Sequence, residues 1–337
     1  MSADRTRILV TGTGGPSGYS FLQALQDEPV ECFSADIDPL SPGLYLVPPD
    51  RRLLLPRGDD PGFADAVLEL CEAHDLRLVV PTVDSELLPL ADRREDFEAI
   101  GASVLVASSE ALRLCLDKWL LMQRCEGLVP IPRSAPYDLD FDVADWELPI
   151  LAKPRQGSGS RGVRVIEAPG DLDGVERDGS LLIQSHLPGT EYSLDTMIGA
   201  DGEVRAVVPR ARLKVDSGIA ITSRTVHDPE LERIGGDAAR AVGLTGVANV
   251  QVKDDPEGTP RLIEINPRFP GTMPLTIASG VDMPVLLVRE ALGTPLAPGR
   301  IDFEDLVMTR CFREIYFQPD ELEALDDRAA AVSGPAG

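Results

Sequence analysis

The chain has 337 residues, 43% of them apolar, and a formal net charge of −24 at pH 7. That length exceeds what one hydrophobic core ordinarily takes, so two or three domains are expected. The charge argues against nonspecific nucleic-acid binding and against attraction to anionic membranes, so any anionic ligand must be met by locally concentrated Lys and Arg.

No apolar run approaches the roughly 20 residues that span a bilayer. Asp4, Arg5 and Arg7 lead straight into a strand rather than a signal peptide, so a cytoplasmic protein is expected. The five cysteines are scattered, with no C-x-x-C pair, and are expected to be buried free thiols. His74, His186 and His227 show no metal-ligand spacing, so no zinc site is expected.

In chain order, "RILVTGTGGPSGYSFLQAL" reads as a strand, a glycine-rich turn and a helix near 17–27. "VECFSADI", "RRLLLP", "RLVVPT" and "ASVLVA" read as further strands, and "PGFADAVLELCEAHD" as a helix with Phe63, Val67 and Leu70 at helical spacing. This alternation up to about residue 107 implies a mostly parallel sheet covered on both faces. The turn has Gly12, Gly14 and Gly18, but Ser17 holds the third glycine place of G-x-G-x-x-G. Asp36, ending the second strand, mimics the ribose-binding acid of NAD proteins and supports an alternative reading as an NAD(P)-dependent oxidoreductase.

From about 108 the texture changes. "SSEALRLCLDKWLLMQRCEG" reads as one helix to about 125, capped by Ser108 or Ser109. "LPILAKP" and "GVRVIEA" flank a Gly/Ser loop as in a β-hairpin, strands follow around a turn at Gly199–Gly202, and "DPELERIGGDAARAVGL" is helical. The residues from about 320 are expected to fray.

Three segments carry chemistry. In "PILAKPRQGSGSRGV" a lysine ends a strand and glycines let backbone N–H groups approach an anion, as in a flap over phosphates; an exposed hairpin would carry the same residues. In "LLIQSHLPGTEYSLD" the carboxylate of Glu191 could accept hydrogen bonds from a ribose diol, or be merely solvated. In "NVQVKDDPEGTPRLIEINPRFPGT" Glu264 and Asn266 alternate on one strand and so share a face, with Gln251 alongside on the preceding strand of a hairpin. Such oxygen-bearing side chains suit Mg²⁺, a hard cation usually completed by phosphate oxygens and water, and Arg268 two residues on can reach a phosphate.

Together these segments resemble the ATP-grasp superfamily, in particular carboxylate–amine ligases and the large chain of carbamoyl phosphate synthase, with "EINPR" as the specific element. The resemblance implies an α/β and α+β chain: a Rossmann-like pre-ATP-grasp domain over 1–107 that does not bind NAD, its glycine-rich turn facing the acceptor side of the ATP cleft, followed by an ATP-grasp fold of two subdomains, 108–183 and 184–319, and a flexible tail over 320–337. It implies that Asp117-Lys118 opens the central domain with Lys118 near the nucleotide phosphates, that Lys153 contacts the α- and β-phosphates, and that Gly157 to Gly162, including Ser158, Gly159 and Ser160, cover the triphosphate. Gln184, Ser185, His186 and Leu187 would form the adenine hinge, with Gln184 where the family often has Glu, and Glu191 would hold the ribose. Gln251, Glu264 and Asn266 would bind Mg²⁺, two ions being expected and Mn²⁺ an acceptable substitute, and Arg268 would contact the γ-phosphate or the acyl phosphate.

The implied activity is ligation through an acyl phosphate with release of ADP and phosphate. The local basic cluster Arg210, Arg212, Lys214 and Arg224 reads as an acceptor-site loop whose arginines grip a substrate carboxylate, although a solvated hairpin would carry it too. Partners are small-molecule carboxylates and amines, with a homodimer left open. A noncatalytic nucleotide-binding module is a further alternative.

Overall fold

The computed structural model describes residues 5–157, 159, 161–216 and 219–325. Ser158 and Ser160, two of the expected phosphate-loop residues, lie outside them, as does the tail from 326 on. The described residues form two compact units.

The first unit opens with β1 (Thr6–Thr11), α1 (Pro16–Ala24), β2 (Val30–Asp36), β3 (Arg52–Leu54), α2 (Phe63–His74), β4 (Leu78–Val80), α3 (Asp84–Asp92), α4 (Arg94–Ala99) and β5 (Ser103–Val104). Its sheet has the order β3-β2-β1-β4-β5, and every pair is parallel. Ile8, Leu9 and Val10 are all fully buried, as the central strand of a sheet covered on both faces requires. Phe63, Val67 and Cys71 place one apolar stripe of α2 against Leu9, Phe33 and Val79. The glycine that lets turn and helix close up is Gly18, not residue 17: a Cβ on Gly18 would meet the carbonyl oxygen of Gly12 at 2.7 Å. Ser17 therefore interrupts the fingerprint without loosening the turn.

The second unit contains α5 (Ser109–Leu116), α6 (Lys118–Cys125), β6 (Ser134–Pro136), β7 (Ile150–Pro154), β8 (Arg164–Ile166), β9 (Leu181–Ser185), β10 (Glu191–Ile198), β11 (Val204–Asp216), β12 (Ile219–Thr225), α7 (Pro229–Ala241), β13 (Gly246–Asp254) and β14 (Pro260–Asn266). The single helix expected over 108–125 is two helices. Asp117 breaks it: its carboxylate accepts the N–H groups of Trp119 and Leu120, which caps α6, and binds Arg155 through both oxygens. Strands β6, β9, β7 and β8 form an antiparallel sheet over a core of Tyr137, Phe141, Ile150 and Ile183.

After β14 the chain returns to the first unit with α8 (Met273–Ala278) and α9 (Met283–Ala291), then lends β15 (Val307–Thr309) to the second. The second unit thus holds an antiparallel sheet of order β14-β13-β10-β11-β12-β15. The segment Arg268–Pro298 does not stay with a contiguous 184–319 subdomain, because Phe269 stacks edge-on against Phe21 of α1, centroids 4.7 Å apart. The expected division at 183/184 falls inside β9. Nor does the chain fray at 320: residues 319–325 are helical, Glu321 pairs with Arg52 at 2.8 Å, and Leu325 is buried.

All five cysteines are free; Cys71, Cys115 and Cys125 are buried as expected, Cys32 is half-buried, and Cys311 is exposed. Among the described residues no helix is long and apolar enough to cross a membrane.

Candidate active site

The six-stranded sheet has one face under α7 and one polar face. On the α7 side, a Cβ at Gly235 would touch Val207, Thr196 and Leu194, so helix and sheet sit in close contact there. Strand alternation sends the intervening residues to the other face. Register then lines them up across strands. Arg210, Ser193, Gln251 and Glu264 form one row, and Asp195, Asn249 and Asn266 the next.

These side chains form a connected hydrogen-bond chain. Arg210 donates to both oxygens of Asp195, at 2.9 and 2.6 Å, with neither residue exposed. Asn249 Nδ2 donates to Asp195 Oδ1 at 3.0 Å, and Gln251 Nε2 to Asn249 Oδ1 at 3.1 Å. On the edge strand, Asn266 Nδ2 donates to Glu264 Oε1 at 3.1 Å. The Nη1 of Arg210 is buried and has no hydrogen-bond partner among the described residues.

Two lysines reach this edge. Lys153, one residue before the end of β7, is almost wholly buried; its Nζ donates to the carbonyl of Ile263 at 3.2 Å. The outward carbonyls of an edge strand are free to accept in this way. Lys118 donates to the Gly157 carbonyl at 2.7 Å and lies 3.8 Å from Glu264 Oε2. Burial pushes the Lys153 ammonium down to about 8, against the opposing pull of Glu264 and with the help of Lys118. Burial opposes ionisation of Asp117, but Arg155 and the α6 amides outweigh it and hold that carboxyl below its usual range.

The structure thus brings together Lys118, Lys153, Gly157, Gln251, Glu264 and Asn266. Glu191 lies on the same polar face, two residues from Ser193, and is ion-paired with Arg212. Gln184 is buried in β9 with its amide on Ser134 Oγ at 2.8 Å, so its side chain serves the small sheet. Ser185, His186 and Leu187 run on toward β10, with Leu187 buried.

The arginines do not form a gripping loop. Arg210 is locked in the sheet, whereas Arg224 pairs in register with Ala211 and so points to the opposite face, where it is exposed. Lys214 is exposed near the end of β11. Arg268 belongs with the first unit, held by Asp84 at the start of α3 through contacts of 2.8 and 3.2 Å. Sequence reasoning missed Ser193, Asp195 and Asn249. The signal was present: Glu191, Ser193 and Asp195, like Asn249 and Gln251, recur at the period of two already used for Glu264 and Asn266.

Residues 8–105 match the family model "PylC-like, N-terminal domain", and residues 177–309 match "ATP-grasp in the biosynthetic pathway with Ter operon". The chain carries a PylC-like N-terminal domain and an ATP-grasp domain. It is 29% identical over 185 residues to the 3-methyl-D-ornithine–L-lysine ligase of Methanosarcina barkeri, covering 53% of this chain and 47% of that one. It is 29% identical over 163 residues to the D-alanine–D-alanine ligase of Gloeobacter violaceus, covering 42% and 54%. The matches thus span about half the length of these two relatives. In fold, the chain is similar to N5-carboxyaminoimidazole synthetase from Staphylococcus aureus, solved with ADP, with a TM-score of 0.73, 15% identity, and coverage of 96% and 85%. The ATP-grasp domain accounts for the six-stranded sheet, with Gln251 on β13 and Glu264 and Asn266 on the edge strand β14.

Proposed function

We propose that this protein is an ATP-dependent carboxylate–amine ligase working through an acyl phosphate. The observation that carries the reading is the convergence of Lys118 and Lys153 on the edge strand that bears Glu264 and Asn266. Two cations and one carboxylate beside amide oxygens suit a triphosphate and its counter-ion, not a cationic or apolar ligand. Relatives named as ligases support the same reading.

Among the described residues no three His, Cys, Asp or Glu side chains form a cage for a metal. Glu264 Oε1 and Oε2, with the amide oxygens of Gln251 and Asn266, make a sparse oxygen set. This fits Mg²⁺, which dehydrates reluctantly and takes its remaining ligands from water and phosphate; two ions are proposed, with Mn²⁺ accepted in the same place. The chemistry such an ion supplies when bound is neutralisation of charge on the phosphate oxygens.

Lys153 and Lys118 would hold the phosphates, and the loop from Gly157 would cover them. Glu191 would exchange Arg212 for the ribose hydroxyls, and the chain from Gln184 to Leu187 would face the adenine through its backbone. A carboxylate oxygen of the first substrate attacks the γ-phosphorus, and ADP leaves. The nitrogen of a neutral amine then attacks the acyl carbon, inorganic phosphate leaves, and the nitrogen loses one proton. Positioning and charge neutralisation are the protein's share of the work. We assign Arg210 and Asp195 to holding Asn249 and Gln251 in place, and leave Arg212 and Arg268 as ligands for anionic oxygens that must first release Glu191 and Asp84.

The oxidoreductase alternative meets an obstacle in the glycine turn: the Gly14 N–H donates to Asp36 Oδ2 at 2.6 Å, so neither group is free for a dinucleotide. A screen of amino-acid and carboxylate pairs with Mg²⁺-ATP, read by nucleotide chromatography, tests the reading. ADP formation that needs both substrates is expected. AMP as the product, or no nucleotide turnover with any pair, contradicts it.

A further inference from the structure

The two lysines proposed to hold the phosphates stand on different elements, Lys118 at the first position of α6 and Lys153 near the end of β7. One polyphosphate can be gripped from both only if the elements keep a fixed spacing. A closed ring of contacts joins them. The N–H of Lys118 donates to the carbonyl of Arg155 at 3.0 Å. The Arg155 guanidinium returns to Asp117, the residue before Lys118, with Nε on Oδ1 at 3.1 Å and Nη2 on Oδ2 at 2.6 Å. Pro154 lies between Lys153 and Arg155, and its ring fixes φ, so the path from one to the other has little freedom. The N–H of Arg155 donates to the Ser180 carbonyl at 3.0 Å, which ties the ring to the start of β9.

Arg155 precedes the Gly/Ser loop, where a cation would ordinarily be read as a phosphate ligand. Its guanidinium is already committed. Nε and Nη2 are on Asp117, and Nη1 is on the Gly179 carbonyl at 3.3 Å. Asp117 is only 7% exposed, and its Oδ1 also accepts the N–H groups of Trp119 and Leu120. By charge alone, a carboxylate next to Lys118 would oppose a polyphosphate. Its presence there is explained if what it supplies is position.

We propose that Asp117 and Arg155 are positioning residues: their two-pronged pair sets the spacing of Lys118 and Lys153, and neither touches the nucleotide. The proposal deepens the ligase reading and rests on it only in that the two lysines hold phosphates. A guanidinium and a carboxylate joined through two parallel bonds fix orientation as well as distance, which a single contact does not. The same pair keeps both charges away from the phosphates, so the lysines alone present positive charge from this corner of the site.

The test is calorimetric titration of the full chain with Mg²⁺-ATP and, separately, with adenosine, comparing the parent with Asp117→Asn and Arg155→Lys. Asparagine caps a helix about as well as aspartate, and lysine keeps the charge of arginine, so each variant removes the two-pronged pair and little else. ATP binding should weaken about tenfold in each, the scale of one charge-assisted hydrogen bond to phosphate misdirected. Adenosine binding should stay within about twofold, because it carries no phosphate for the lysines to hold. The double variant should bind ATP no worse than the poorer single one, since the pair is lost only once. The sign for Asp117→Asn decides between position and charge: removing a negative charge, or freeing Arg155 to bind phosphate itself, would tighten ATP binding. Tighter or unchanged ATP binding in that variant overturns the proposal, as does an equal loss for adenosine. Thermal melts establish that each variant is folded, and Arg155→Lys carries the test if Asp117→Asn is not. A parent chain that binds no ATP overturns this proposal and the ligase reading together. The expected losses, with no ADP formed from any substrate pair, would leave the positioning pair standing and remove the ligase reading.

Discussion

The ammonium of Lys153 donates to the main-chain carbonyl of Ile263 across 3.2 Å, one residue before Glu264. Two sheets built from distant stretches of sequence are joined at that point, and a buried cation is held within reach of the acid proposed to carry the metal. The contact is a parking place for an ammonium whose proposed partner is phosphate.

Lys153→Met keeps an unbranched side chain one atom shorter and removes the charge. Loss of a hydrogen bond to a charged group costs about 1.5–3 kcal/mol, so kcat/KM for ATP should fall on the order of 10- to 150-fold. The fold should hold, because a buried charge is replaced by an apolar chain of similar volume. Steady-state kinetics with a thermal melt checks both halves.

Glu264→Gln and Asn266→Ala should each reduce turnover by at least about a hundredfold while leaving the far-ultraviolet spectrum unchanged, since their proposed task is to hold the counter-ion against the phosphates. Activity measured against rising Mg²⁺ should show a right-shifted dependence for Asn266→Ala. Near-normal turnover in either variant removes the metal assignment.

Asp195 and Arg210 form a wholly buried ion pair. Removing one partner of such a pair leaves an uncompensated charge and typically costs about 3–5 kcal/mol. Asp195→Ala and Arg210→Met should each destabilise on that scale in denaturant melts, and the double variant should lose clearly less than the sum. Additive losses would mean that the pair is not energetically coupled.

Glu86 gives a pH signature. Its folded carboxyl is raised to about 7 from an ordinary 4.5 by burial, so folding favours the protonated form. The stability it contributes is therefore fully present below about 4.5 and is lost as pH rises through 7. At 1.36 kcal/mol per unit, the loss is about 3 kcal/mol. Chemical denaturation at pH 5.5 and 8.5 should show Glu86→Gln with a flatter dependence than the parent chain. Identical slopes would contradict the burial argument.

Much of the site was legible because strands have a strict period. Glu264 and Asn266 share a face by alternation, and the polar turn between β13 and β14 pairs Gln251 with Glu264. Asp195 and Asn249 follow the same rule but stand among apolar neighbours in sequence, and only cross-strand register reveals that a buried acid there has Arg210 beside it. Arg210 and Arg224 looked alike as members of a basic cluster, yet the register of β11 and β12 sends them to opposite faces. The alternation of the first hundred residues gave the parallel sheet. The return of Phe269 to Phe21 did not show, because nothing local says which helix a helix will meet. The break at Asp117 was hidden because an acid within an amphipathic run reads as its wet side until Arg155 and the α6 amides claim it.

The central claim is that the γ-phosphoryl group passes to a carboxylate before the amine attacks. Once the two substrates are known, the carboxylate is supplied with oxygen-18 in both positions, and the released phosphate is analysed by mass spectrometry. One labelled oxygen in each phosphate is predicted, because the oxygen that attacks phosphorus stays with it when the amine expels phosphate. Unlabelled phosphate, or label appearing in AMP, would contradict the account.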